Sequence, residues 1–432
     1  MRLRQSVKSS AYINILVRIS TKMEGTTMMT LDKFEEATDA VKKVILRTEL
    51  VYSDYFSDTT GNKVYLKPEN MQFTGAYKVR GAYYKISTLT KEERERGLIT
   101  ASAGNHAQGV AYAAKLYNAK AVIVMPSTTP LIKVNRTKSY GAEVILYGNV
   151  YDEACQYAIE LSQEKGYTFI HPFNDEVVAT GQGTIAMEIF KDLPTVDIIL
   201  APIGGGGLLA GVATLAKMLN PNVKVIGVEP AGAACMKESL KAGHVVTLPH
   251  VDTIADGTAV KTPGDVVFPY IQEYVDDIIT VEDQELIVNF LDIVENHKMV
   301  VENSGLLTVA ALKHLNCKDK KVVAILSGGN MDIITVSSIV QHGLIQRGRV
   351  FTVSVLLPDR PGELVNVASI ISKCQGNVIR LDHNQFVSIN RNAAVELTIT
   401  METFGHEHKQ EIVQALIEHG YNPKLCQPSK VY

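Results

Sequence analysis

The chain has little of what would mark it for an oxidising compartment, a membrane or a polyanion. Its five cysteines, Cys155, Cys235, Cys317, Cys374 and Cys426, are odd in number, far apart and without a C-x-x-C pair. That argues against a disulfide framework and against cysteine metal or redox motifs, fits a reducing compartment, and makes the cytoplasm the expected location. Charge of one sign is also lacking: 43 basic and 46 acidic residues leave a formal net charge of −3. Such a balance offers no footprint for nucleic acid or an anionic membrane and favours a small neutral or zwitterionic ligand. The charge-free stretch Ile198 to Ala216 approaches membrane-spanning length, but Pro202 and four consecutive glycines interrupt it. It is expected to be a buried strand, a turn and a helix. Solenoid repeats and low-complexity tracts are absent.

At 432 residues the chain has room for two or three domains and a large core. The first 23 residues carry five basic side chains and no acid, the composition of a transit peptide. Met23, Met28 and Met29 offer later starts and the first helix pattern begins near Thr30, so residues 1–29 are expected to be a disordered or over-called extension.

From about residue 95 to 330, apolar runs such as "AVIVMP", "AEVILY", "YTFIHP", "VDIILAPI", "VKVIGVEP" and "KVVAILSGG" alternate with helical stretches. Continuous apolar strands joined by helices predict parallel sheets covered on both faces, an α/β fold with its chemistry at the strand-to-helix turns. After Arg349 the pattern changes to strand, helix, strand, strand, helix and a possible last strand "NPKLCQ". This β-α-β-β-α-β order is the ferredoxin-like split unit, with Leu364, Val367, Ala368 and Ile371 as the stripe of its first helix.

Three turns carry the candidate chemistry. In "PIGGGGLLAG" a strand feeds Gly204, Gly205, Gly206 and Gly207 before a helix begins, which suits close approach of a phosphate to exposed N–H groups. The same spacing, Gly205-x-Gly207-x-x-Ala210 followed by Glu229, also fits a relaxed dinucleotide fingerprint, so an NAD site stays open here. In "ITASAGNHAQG", Ser102 is the expected helix cap, and Gly104, Asn105 and His106 form the first turn of an anion-sized space. In "AILSGGNMD", Ser327 follows a buried strand, equally suited to a ligand contact or a plain turn. Upstream, "FTGAYKVRGAYYKI" sets Lys78 beside Tyr77; periodicity alone would also allow Lys78 and Lys85 to share a solvated helix face.

The ordered set "TGAYKVRGA", "SAGNHAQG", "GQGT", "GGGGL" and "SGGN" resembles the threonine dehydratase branch of the fold type II pyridoxal phosphate enzymes, over residues 30–345. Residues 350–425 resemble an ACT domain, a module that binds amino acids, and the whole is similar to medium-length threonine ammonia-lyases. The resemblance implies a two-lobed catalytic part, its small lobe at about 95–174, holding pyridoxal 5′-phosphate on Lys78 with Tyr77 against the ring. It implies phosphate binding at Gly204 to Gly207, Asn105 on the ring hydroxyl, and Ser327 at the pyridine nitrogen. Ser102, Gly104 and His106 would take the substrate carboxylate. Lys78 would remove the α-proton, the cofactor phosphate would assist departure of the β-hydroxyl, and L-threonine would become 2-oxobutanoate and ammonia, with L-serine also accepted.

Departures narrow this expectation. Ala103 stands where serine racemases use a serine, which favours elimination. Glu229 and Ala233 match a divalent-cation site of some relatives, but Cys235 replaces its aspartate, so no metal is expected. Ala76 replaces a serine common in relatives. For the tail, the resemblance implies an isoleucine, valine or nucleotide effector near Asp359, Gly362 and Glu363, and a homodimer or homotetramer. L-serine dehydratase or racemase, a β-replacement enzyme, an NAD-dependent oxidoreductase and a non-catalytic amino-acid sensor are the alternatives.

Overall fold

The computed structural model describes residues 29–385 and 395–426. The basic N-terminal arm expected as a disordered or over-called extension therefore lies outside the described residues, apart from Met29. The chain divides into two compact units: the described residues up to Leu286 with Met299–Asn330, and Ile287–Lys298 with the residues from Met331 onward.

The strands of the first unit, in chain order, are β1 Val51–Tyr52, β2 Lys63–Lys67, β3 Leu98–Ala101, β4 Ala121–Met125, β5 Glu143–Leu146, β6 Thr168–Phe169, β7 Ile198–Pro202, β8 Lys224–Pro230, β9 Asp277–Val281 and β10 Lys321–Ile325. They form a six-stranded sheet, β1-β2-β10-β7-β8-β9, parallel except at β1, and a four-stranded parallel sheet, β5-β4-β3-β6. Every residue of β3, β4 and β7 is buried, which is why these segments are apolar without alternation. The α/β class expected from sequence is the one observed. Strands β1, β2 and β9 had no clear signal: β2, "KVYLK", ends on two lysines, and β9, "DIITV", is an edge strand.

Three helices of the first unit pack against one another at glycine contacts. A Cβ on Gly181 would lie 2.7 Å from the Gly81 Cα, and one on Gly211 would lie 2.0 Å from the Ala179 carbonyl oxygen. The "GQGT" segment is thus where the Glu176–Asp192 helix touches its neighbours backbone to backbone. Its glycines serve packing, and its Thr184 hydroxyl accepts a hydrogen bond from Arg80 at 3.2 Å.

The second unit contains β11 Val350–Leu357, β12 Asn377–Asn384, β13 Val395–Glu402 and β14 Lys424–Cys426, antiparallel in the order β12-β13-β11-β14. The Glu363–Lys373 and His406–Glu418 helices cover it, burying Val367, Ile371, Ile412 and Leu416 against Val353, Val355, Leu397 and Ile399. The split β-α-β-β-α-β order is as expected. Leu364, assigned to the buried helix stripe from sequence, is 37% exposed; Ile370 takes its place in the core. No helix among the described residues is long and apolar enough to cross a membrane.

Candidate active site

Lys78 opens the Lys78–Thr88 helix, and the loop before it is stitched to the turn that leaves β10. Tyr77 N donates to the Ser327 carbonyl at 3.0 Å, Gly329 N donates to the Gly75 carbonyl at 2.8 Å, and Ala76 bridges Gly328. Gly75 is required at this seam: its φ is +70°, and a Cβ would meet Asn330 Oδ1 at 2.4 Å. The Lys78 amine points inward. Its Nζ donates to the Pro172 carbonyl at 2.7 Å and lies 5.3 Å from the centroid of the Tyr77 ring. Burial pushes its pKa down to about 8 against the opposing pull of Glu302, so a neutral, nucleophilic amine is accessible near physiological pH. Lys85, one heptad on, pairs instead with Asp175 at 2.7 Å on a partly solvated face. The two lysines do not share an environment.

The second turn differs from its sequence reading in two side chains. The N-cap of the Asn105–Leu116 helix is Gly104, and the Ser102 hydroxyl accepts from Gly104 N at 3.2 Å, one step outside the helix. A serine can cap the turn that precedes a helix as readily as the helix itself, and the pattern alone does not say which. His106 is buried, with Nε2 2.9 Å from the Ile170 carbonyl. A carbonyl only accepts, so Nε2 carries the proton and the buried Nδ1, which has no partner among the described residues, is an acceptor. Burial, aided by the Lys78 charge, pushes the imidazole pKa down to about 3. A neutral ring of this tautomer has no N–H to offer a carboxylate. What the turn does offer is its backbone: among the described residues nothing accepts from the N–H groups of Asn105, His106 and Ala107, and the space beside Gly104 is open.

The glycine turn has the same character. Gly206, φ +101°, is the N-cap of the Gly207–Leu219 helix, and among the described residues no group accepts from the N–H groups of Gly204 through Leu209. A Cβ on Gly205 would sit 2.1 Å from the Phe173 ring, and one on Gly207 2.6 Å from the Phe173 carbonyl oxygen. The "IHPFN" segment therefore reaches all three features: Ile170 holds His106, Pro172 holds Lys78, and Phe173 presses on the glycines. His171 braces it by accepting from the N–H groups of Phe173 and Asn174 at 3.2 and 2.8 Å.

Glu302, Asn330 and Arg80 shape the site without having been singled out from sequence: Asn330 and Arg80 stand inside the "SGGN" and "TGAYKVRGA" motifs, and Glu302 has no local signal at all. Asn105 Nδ2 donates to Glu302 Oε1 at 2.7 Å, and Asn330 Nδ2 donates to Asn105 Oδ1 at 2.8 Å. Burial and the nearby Asp256 push the Glu302 carboxyl up to about 7. Arg80 lies in the first turn of the lysine helix, between the buried Glu69 and the partly buried Glu188.

The "IHPFN" segment, the seam at Gly75 and the Asn105–Glu302 bond bring these turns together around a buried amine. The family described as pyridoxal-phosphate dependent enzyme matches residues 41–328. The chain belongs to this family. The L-threonine ammonia-lyase of Thermotoga maritima is 42% identical over 399 residues, covering 92% of this chain and all of that protein. Among solved structures, the processed threonine deaminase isoform 2 of Solanum lycopersicum is 40% identical with a TM-score of 0.70, covering 73% of this chain and 90% of that one. Maize serine racemase is 34% identical with a TM-score of 0.70, covering 74% of this chain and all of that one.

The pocket fits the family's cofactor by its own chemistry. It pairs a low-pKa lysine with a row of unpartnered N–H groups suited to a phosphate dianion. The NAD alternative loses its acid: the buried Glu229 carboxylate already accepts from Met236 N and Lys237 N at 2.8 and 2.9 Å, capping the Cys235–Ala242 helix rather than facing a ribose. In the second unit, Asp359, Gly362 and Glu363 line one concavity with His383 and Val395. Gly362, φ +98°, caps the Glu363–Lys373 helix, and Glu363 accepts from the Tyr421 hydroxyl at 3.2 Å.

Proposed function

We propose that this protein is a threonine ammonia-lyase, converting L-threonine to 2-oxobutanoate and ammonia and accepting L-serine as a second substrate. The observation that carries the reading is the Lys78 amine, shifted toward its neutral form and set among three helix N-termini, in a chain that matches a threonine ammonia-lyase along that protein's full length. Bound pyridoxal phosphate supplies the electron sink for negative charge at the substrate α-carbon.

The chain's residues do the rest. Lys78 would hold the cofactor through Nζ, and its amine, with a pKa near 8, would accept the substrate α-proton. Tyr77 packs against the ring, Asn105 donates to its oxygen, and Ser327 offers a neutral hydroxyl to its nitrogen, which leaves that nitrogen without an enforced proton. The N–H groups from Gly204 to Gly207 take the phosphate. The backbone N–H groups at the start of the Asn105–Leu116 helix, with Ser102 and Gly104 shaping the approach, take the substrate carboxylate; His106 contributes its N–H rather than its ring. Ala103 has no proton to give, so elimination is favoured over racemisation.

The catalytic part spans 30–345 and the regulatory part 350–425. The concavity at Asp359, Gly362 and Glu363 is the proposed effector site, for isoleucine, valine or a nucleotide. The exposed edge strand β12 pairs subunits as a homodimer or homotetramer. The cytoplasm, where the five free cysteines stay reduced, is the working location. Borohydride reduction of the holoenzyme followed by peptide mapping tests the central assignment: the adduct is expected on Lys78, and a trapped cofactor on any other lysine overturns it.

A further inference from the structure

The Asn105 amide is held from both ends, and the direction in which it is held is fixed by an acceptor that cannot change. Asn330 Nδ2 donates to the Thr74 carbonyl at 2.7 Å, and a carbonyl only accepts, so this nitrogen cannot be exchanged with its oxygen by turning the amide over. The same nitrogen donates to Asn105 Oδ1, and this in turn directs Asn105 Nδ2 at Glu302 Oε1. One of the two N–H groups of Asn105 is thereby committed to Glu302, and the other has no acceptor among the described residues.

Glu302 is also tied to the turn that carries Ser327. Its N–H donates to the Gly328 carbonyl at 2.9 Å, and a Cβ on Gly328 would meet its Oε1 at 2.4 Å. The carboxyl thus sits between the second and third turns, with no cation in direct contact among the described residues. The charged and titratable groups facing it are Asp256, which raises its pKa, and Lys133, which lowers it; these two pair with each other at 3.0 Å. Its field also acts on Lys78 and Tyr77 of the lysine helix. With the Asn330 backbone N–H, these favour a carboxyl that changes protonation near neutral pH.

We infer that Glu302 is a positioning residue for the reaction: with Asn330 it locks the Asn105 amide so that the remaining N–H serves the cofactor's ring oxygen, and gain or loss of its proton changes the charge beside that edge of the ring. This rests on the reading of the pocket as a pyridoxal phosphate site. Only a proton moves, between the Glu302 carboxyl and solvent, and the Asn105 bond persists because the accepting oxygen serves in either state.

The test compares holoenzyme carrying Glu302→Gln or Asn330→Ala with wild type. The visible absorbance of the bound cofactor is titrated from about pH 5.5 to about 9, and cofactor dissociation is measured by dialysis. Wild type is expected to show a transition near neutral pH that Glu302→Gln removes while cofactor is still trapped on Lys78. Asn330→Ala is expected to keep the transition but weaken cofactor binding by about tenfold, because it frees the oxygen end of Asn105. A Glu302→Gln protein that titrates like wild type overturns the inference. Should that variant not hold cofactor, unchanged cofactor affinity in Asn330→Ala overturns it instead. A wild-type protein with no adduct on Lys78 refutes the cofactor reading itself and is distinguishable from both.

Discussion

Arg80 and Glu69 face each other through two hydrogen bonds of 2.8 Å, guanidinium Nε and Nη2 against the two carboxylate oxygens, and both side chains are fully buried. On its other side Arg80 donates to Glu188 at 2.8 and 3.0 Å, and Lys67 bonds the same Glu188. Burial alone would raise the Glu69 pKa, but the guanidinium wins and holds it below the usual carboxylate range. Two positions after Lys78, this cluster fixes the height and rotation of the helix that presents the amine.

Replacing Arg80 with Met is therefore expected to leave the buried Glu69 and the partly buried Glu188 with Lys67 as their one shared cation among the described residues, and to cost about 3–5 kcal/mol. Arg80→Lys should cost less but more than a surface change, since an ammonium cannot reproduce the two-sided fork. Urea denaturation at neutral pH measures both. A loss below about 1 kcal/mol for Arg80→Met contradicts the positioning role.

A methyl at Gly205 collides with the Phe173 ring, so Gly205→Ala must push the turn or the ring aside. Cofactor affinity is expected to fall by about tenfold or more, roughly 1.4 kcal/mol, with far-UV dichroism unchanged. Equilibrium dialysis of the variant checks it; wild-type affinity would show that the turn does not touch the phosphate.

The depressed lysine pKa has a stability consequence in cofactor-free protein. Between pH 8 and the ordinary lysine pKa of 10.5 the unfolded chain holds the Lys78 proton and the folded chain does not. Stability therefore rises with pH across that window, and the full penalty of burying the ammonium is present below pH 8. Lys78→Met is expected to be more stable than wild type at pH 7 by about 1–3 kcal/mol, the gap closing as the pH climbs. Parallel stability curves for the two proteins contradict this.

Ala103 lies between Ser102 and Gly104, with no proton to donate. Ala103→Ser is expected to produce measurable D-serine from L-serine, read by chiral chromatography, at the expense of pyruvate. No D-serine from a variant that still eliminates water would show that position 103 is not what excludes racemisation.

The legible parts of the molecule were those with local signals. Buried parallel strands announced themselves as unbroken apolar runs, and the turns that follow β3, β7 and β10 as clusters of Gly, Ser and Asn. What stayed hidden is long-range. Asn105 and Glu302 are 197 positions apart, and Arg80 and Glu188 are 108 apart; a charge destined for a buried pair looks in sequence like any solvated charge. His106 shows the other limit. Its place in a ligand-facing turn was readable, whereas the rotation of its ring onto Ile170 depends on where β6 ends. The Ser102 cap failed for a similar reason, since both the helix and the turn before it favour a serine.

The most direct test of the account is release of 2-oxobutanoate from L-threonine by purified protein loaded with pyridoxal phosphate, set beside L-serine and beside Lys78→Ala. The account predicts steady oxo acid formation from threonine, slower formation of pyruvate from serine, and loss of both in the variant. No oxo acid from either substrate in cofactor-loaded protein, or undiminished release by Lys78→Ala, contradicts it.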